Sequence, residues 1–153
     1  MRLPQILLLT AALGLASCGA VRNSKLNPLN WFGKSQEVAV AVQPTEDLDA
    51  KGRSLVQTVL SMQVEPYKGG AIIRATGLPP TQGWWQADLV PRPLDENGVL
   101  VLEFRVFPPV KPWPQGTQPS REITVALALS DIKLDGVREI VVQGAENARS
   151  SRR

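Results

Sequence analysis

From about residue 37 onward, apolar and polar residues alternate with a period of two in several runs, separated by clusters of Gly, Pro, Asn and Asp. In an extended chain that period puts successive side chains on opposite faces, so each run predicts a strand with one buried face. The first run is Glu37 to Val42, and the more polar Asp47 to Arg53 reads as a loop or a short helical turn. Thr58, Leu60, Met62 and Val64 then point one way, with Gln57, Ser61, Gln63 and Glu65 pointing the other. This suits a strand with one wet face, although helical character over Leu55 to Met62 stays open.

The turn chemistry between runs is explicit. Tyr67-Lys68-Gly69-Gly70 turns into the run Ala71 to Thr76, and Gly77 to Gly83, with Pro79 and Pro80, loops to a strand over Trp84 to Val90. After Asp95-Glu96-Asn97-Gly98, Leu100, Leu102, Phe104 and Val106 form an inward row with Glu103 and Arg105 on the opposite face, the strongest strand signal in the chain. A Pro-rich crossing from Pro108 to Pro119 leads to Ile123, Val125, Leu127 and Leu129 on one face of a further strand. Asp135-Gly136 then reads as a type I′ hairpin turn into Val137 to Gln143. About seven strands in roughly 110 residues predict an all-β chain, a single immunoglobulin-like or fibronectin-like β-sandwich. The likeness is architectural. The Cys pair and intervening Trp of antibody domains are missing, so no activity is carried over from those families.

The N-terminus follows another pattern. Met1-Arg2 precedes an apolar run from Leu3 to Ala16, shorter than the roughly 20 residues of a membrane-spanning helix and ending in small residues, as in an export signal. Leu15-Ala16-Ser17-Cys18 resembles the bacterial lipobox: an aliphatic residue, two small ones, and the cysteine that becomes the mature N-terminus. The resemblance implies cleavage before Cys18, a diacylglycerol on its thiol and often a further acyl chain on its amine. With each buried methylene worth about 0.8 kcal/mol, two or three such chains anchor durably. Gly19 stands where an Asp would, by resemblance to enterobacterial lipoproteins, favour inner-membrane retention, so the expectation is the outer membrane, facing the periplasm. The expected organisation is therefore a signal peptide over 1–17, a lipidated N-terminus and tether over 18–36, the sandwich over 37–147 and a basic tail over 148–153. Within the tether, Trp31-Phe32 either dips into the membrane interface or packs back on the domain.

Composition narrows the chemistry. The chain has 43% hydrophobic and 20% charged residues, enough apolar surface for a packed core. It has no His and one Cys, which excludes Ser-His-Asp and Cys-His relays, His-ligated zinc and an internal disulfide. Its net charge of +3 owes much to Arg149, Arg152 and Arg153; without them 14 basic side chains stand against 14 acidic ones. Nucleic acid is therefore not an expected partner, and no cofactor or metal is implied. Gly33-Lys34-Ser35 mimics the end of a P-loop, but Pro28 occupies the position where that motif needs its first glycine.

Candidate binding residues are the aromatics and prolines. Trp84 and Trp85 are adjacent, so one indole faces inward; if Trp85 shares the face of Ala87 and Leu89, Trp84 is exposed, unless the Pro-rich crossing covers it. Pro109, Pro112 and Trp113 lie in a segment whose clustered prolines either preorder it for docking or block edge-to-edge sheet pairing. Two functional classes follow. One is a non-catalytic envelope lipoprotein contacting a protein or a glycan. The other is a carboxylate-based hydrolase of cell-wall polymers using residues such as Asp47, Asp49, Asp95 and Glu96, which requires two facing carboxylates in a cleft.

Overall fold

The computed structural model describes residues 35–38 and 51–152, all within one compact unit, Phe32–Arg153. These residues form strands β1 (Gln36–Val38), β2 (Ser54–Leu55), β3 (Thr58–Tyr67), β4 (Gly70–Leu78), β5 (Trp85–Pro91), β6 (Val99–Phe107), β7 (Ile123–Ser130), β8 (Glu139–Gln143) and β9 (Ala148–Arg152). A short 3-10 turn, Gln118–Arg121, precedes β7. The chain is all-β, and its two sheets pack face to face as a sandwich, as the period-two pattern predicts. The smaller sheet has the antiparallel order β3-β4-β7, and the larger runs β1-β9-β8-β6 with β2 and β5 also bonded to β6. Arg105 opposes both Leu55 and Asp88, and Glu103 opposes both Gln143 and Val90. It follows that β5 takes one edge of β6, while β8 and then β2 share the other.

Between the sheets lies the core that the alternation marks out. Leu100, Leu102, Phe104 and Val106 of β6 and Ile140 and Val142 of β8 meet Met62, Ala71, Ile73, Ala75 and Leu129 of the smaller sheet, all buried. Gly77 of β4 makes room for the largest of them: a Cβ there would lie 2.8 Å from the Phe104 ring. Burying a side chain of this size contributes about 1.5–3 kcal/mol.

Several expectations are revised. Asp135-Gly136 does not join a hairpin. Strand β7 pairs with β4 in one sheet, whereas β8 lies in the other, parallel to β6. Buried Leu134 and Val137 account for the difference: inserting both into the core carries the chain from sheet to sheet through a multi-residue turn, with Gly136 at φ 74°. Leu55 to Met62 is extended and carries a bulge between Val59 and Ser61, which turns Val59 fully into the core. The bulged backbone is capped from the larger sheet. Val59 N–H donates to Asn147 Oδ1 (2.7 Å), while Asn147 Nδ2 and Arg149 Nε both donate to Val59 O, at 3.1 and 3.0 Å. Arg149 belongs to the stretch read as a basic tail, and Ala148–Arg152 is in fact β9, hydrogen-bonded between β1 and β8. Of the first expected run, β1 covers Gln36–Val38, and the remainder lies outside the described residues.

The largest departure is on the outer face of β6. Glu103 and Arg105, expected in water, are 3% and 2% exposed. Arg105 Nε donates to Glu103 Oε2 at 2.9 Å, and Arg105 Nη1 to the carbonyl of Arg53 at 3.1 Å. Arg53 in turn bonds Asp88 at 3.0 Å, and Arg92 Nε stands 3.6 Å from Glu103 Oε1. Two opposite charges two residues apart on one face pair through Glu103 Oε2, which offsets part of the cost of burying either, while Glu103 Oε1 is buried without a hydrogen bond. Replacing Glu103 with Ala strands the Arg105 charge, so Glu103→Ala is expected to lower unfolding free energy by about 3–5 kcal/mol in urea titrations followed by tryptophan fluorescence. A loss below about 1 kcal/mol would show the pair to be solvated like an exposed one.

Candidate binding surface

The β4–β5 loop, the start of β5 and the Pro-rich crossing meet at one end of the sandwich, and the sequence explains how. Gly83 sits at φ +82°, a left-handed conformation that glycine tolerates, and a Cβ there would fall 2.6 Å from Cδ1 of Trp113. The Trp113 ring therefore rests directly on bare backbone. The crossing is tied down beside it, since Gln82 N–H donates to Pro114 O at 3.1 Å and Gln82 Nε2 to Ser120 Oγ at 2.7 Å. Trp113 itself stays 54% exposed. Pro109 is half-buried, while Pro112 and Val110 face solvent.

The two adjacent indoles are placed the other way round from the expectation. Trp84 packs against the core, and its Nε1 donates to Thr81 Oγ1 at 3.1 Å. Trp85 is the exposed one, at 51%, and stacks on Phe107 with ring centroids 5.0 Å apart. A bulge is the cause. The register of β5 against β6 shifts between Trp85 and Asp88, with Gln86 at φ 47°, so Trp84 and Ala87 share the inward face although they are three positions apart. No residue type in Trp84-Trp85-Gln86 advertises that bulge, whereas a Gly at position 86 would have done so.

A cavity of about 200 Å³ opens between Thr81–Trp84 and Ser120–Ile123. Arg121 forms part of its wall, with Nη1 donating to the carbonyls of Pro79 and Pro80 at 2.7 and 3.1 Å. Its carboxylate, Glu122, accepts a hydrogen bond from Gln118 Nε2 at 2.9 Å. The lining is thus one carboxylate, one guanidinium and small polar groups beside an indole.

The other candidates are dispersed. Cys18, Asp47 and Asp49 lie outside the described residues. Asp95 serves its own turn, Oδ1 accepting from the N–H groups of Asn97 and Val99 at 3.0 and 2.6 Å. Among the described residues no three His, Cys, Asp or Glu side chains converge as a metal site, and no helix is long and apolar enough to cross a membrane. Sequence reasoning missed Trp85 and Phe107 as a pair and Gly83 as the seat of Trp113. It did flag the Pro-rich segment that carries Trp113.

Comparison with protein-family models, with curated proteins and with solved structures gives no match to this chain. The exchange of roles between the two indoles has a measurable consequence: Trp84→Ala is expected to cost about 3 kcal/mol of stability and Trp85→Ala less than about 1.5 kcal/mol. Urea midpoints in the opposite order would restore the unbulged register.

Proposed function

We propose that this chain is a lipid-anchored envelope protein whose β-sandwich binds a protein or a glycan through its aromatic and proline-bearing end, without catalysing a reaction. The observation that carries the binding role is the pair of backed, half-exposed indoles: Trp113 seated on Gly83 and Trp85 stacked on Phe107. Rings already held by the fold lose little freedom when a partner covers them, and indoles bring large contact area with one polar handle. The Pro-rich segment between them is pinned at Pro114, which adds to that preordering.

The anchor rests on Leu15-Ala16-Ser17-Cys18 and the apolar run before it, and Gly19 favours the outer membrane, facing the periplasm. The cell-wall hydrolase is the weaker reading. Paired acid–base chemistry on a glycosidic bond needs two carboxyl groups roughly 5–9.5 Å apart across the substrate. The described cavity supplies Glu122 alone, already bonded to Gln118.

The test is expression of the full chain in a bacterium that processes lipoproteins, with an alkyne-tagged fatty acid in the medium. Wild type is expected to take up label and sediment with membranes, and Cys18→Ser to remain unlabelled and leave the membrane fraction. Identical fractionation of the two would remove the anchor. For the binding role, envelope proteins and solubilised wall glycans retained by wild type are expected to be lost at least tenfold by Trp85→Ala/Trp113→Ala, with the far-UV spectrum unchanged.

A further inference from the structure

The edges of the two sheets are not equally protected. An edge strand offers a row of unpaired N–H and C=O groups, and proteins blunt such rows with prolines, charges, bulges or covering groups. In the smaller sheet β3 carries all of these: the bulge at Val59, the Asn147 and Arg149 side chains on its backbone, Glu65 and Pro66. In the larger sheet β5 has the Gln86 bulge, Asp88 and Pro91. Strand β7 carries none. Its eight residues, Ile123–Ser130, include no proline, glycine or charge, and they pair with β4 in an unbroken register. Among the described residues no strand is hydrogen-bonded along its other side, although β5 of the larger sheet approaches it from the facing layer. Its inward residues Ile123, Val125 and Leu127 pack on the core yet stay only half-buried, while Leu129 is fully covered.

We propose that β7 pairs antiparallel with β7 of a second copy of this chain, joining two three-stranded sheets into one six-stranded sheet across a two-fold axis. The sequence of the strand selects both the occupant and the register. Opposed residues in an antiparallel pair share a face, so a shift of one residue sets apolar inner positions against outer ones. Centred on Ala126, the pairing sets Ile123 against Leu129 and Val125 against Leu127 on the inner face, and Thr124 against Ala128 on the outer. Beyond the strand ends the same register sets Arg121 of one copy opposite Asp131 of the other in sequence, although the Arg121 guanidinium is held on the β4 side by the Pro79 and Pro80 carbonyls. Centring on Leu127 would oppose Ile123 to Asp131, and centring on Val125 would oppose Leu129 to Arg121. Only the Ala126 register sets apolar against apolar without opposing a charge to an apolar residue. The half-covered Ile123, Val125 and Leu127 are then sealed by their counterparts.

This assignment is independent of what the aromatic end binds. Its test is sedimentation velocity on the full chain in detergent solution. Ala126 is exposed on the outer face and lies on the two-fold axis, so Ala126→Lys or Ala126→Glu sets like charges opposite each other while leaving the isolated sheet intact. Wild type is expected to dimerise at micromolar concentration and each variant to weaken at least tenfold. An equimolar mixture of the two variants is expected to recover the dimer through a Lys–Glu pair. Circular dichroism melting confirms that the variants are folded, and Thr124→Lys/Ala128→Lys, which opposes lysines on either side of the two-fold axis, replaces Ala126→Lys if that variant is not. A monomeric wild type at tens of micromolar, whether or not another protein's strand binds β7, overturns the assignment. So do variants that dimerise as tightly as wild type.

Discussion

The ion pair between Glu103 and Arg105 is the constraint to which the larger sheet is fitted. Both side chains project from the outer face of β6, where water would ordinarily meet them, and both are buried. An isolated buried charge costs several kcal/mol, so each needs its counter-charge in place before the sheet can close over it. Strand β6 supplies the two residues at alternate positions, and the neighbours supply the rest: the Arg53 carbonyl ahead of β2, and Arg92 after β5. Asp88 completes the chain of charges by holding Arg53. Two separate segments, the entry to β2 and β5 with its exit, must therefore be in register with β6 for these contacts to form. An apolar pair of equal volume would impose no such condition, so the charges select one arrangement of strands as much as they stabilise it.

Much of the fold was legible because period-two alternation is a direct consequence of extended geometry. The inward row Leu100, Leu102, Phe104 and Val106, the turn at Lys68-Gly69 and the turn at Glu96-Asn97 all stand where the pattern puts them. What escaped the pattern is what local sequence cannot encode. Which sheet a strand joins depends on distant partners, so Asp135-Gly136 carried a hairpin signal in a place where two buried side chains draw the chain across the core. Alternation likewise identifies the two faces of β6 but not whether the second is covered. Glu103 and Arg105 would look the same on a wet surface.

The bulges show the same limit in the candidate site. One inserted residue inverts the facing of everything beyond it, so Gln86 exchanges the roles of Trp84 and Trp85, and the position near Val59 turns an extra valine inward. Both bulges lie where a strand passes from one environment to another: Gln86 where the loop enters the larger sheet, Val59 where the chain arrives from β2. At the first the result is an indole re-aimed to solvent with Phe107 behind it. At the second it is a backbone carbonyl and amide held by the Asn147 carboxamide. The seat of Trp113 was within reach of the sequence, since a lone Gly83 beside two tryptophans is a place where a ring can approach backbone closely.

The position of β9 has a kinetic corollary. Strand Ala148–Arg152 lies between β1 and β8, and Asn147 and Arg149 complete the hydrogen bonding of Val59 some ninety residues earlier. Until β9 has been synthesised, β1 lacks the strand it pairs with and the β3 bulge lacks its Asn147 and Arg149 partners. Such a topology has a high contact order and folds late rather than progressively. A chain in that state keeps its apolar rows uncovered through most of its synthesis, which is when a chaperone would have to shield them.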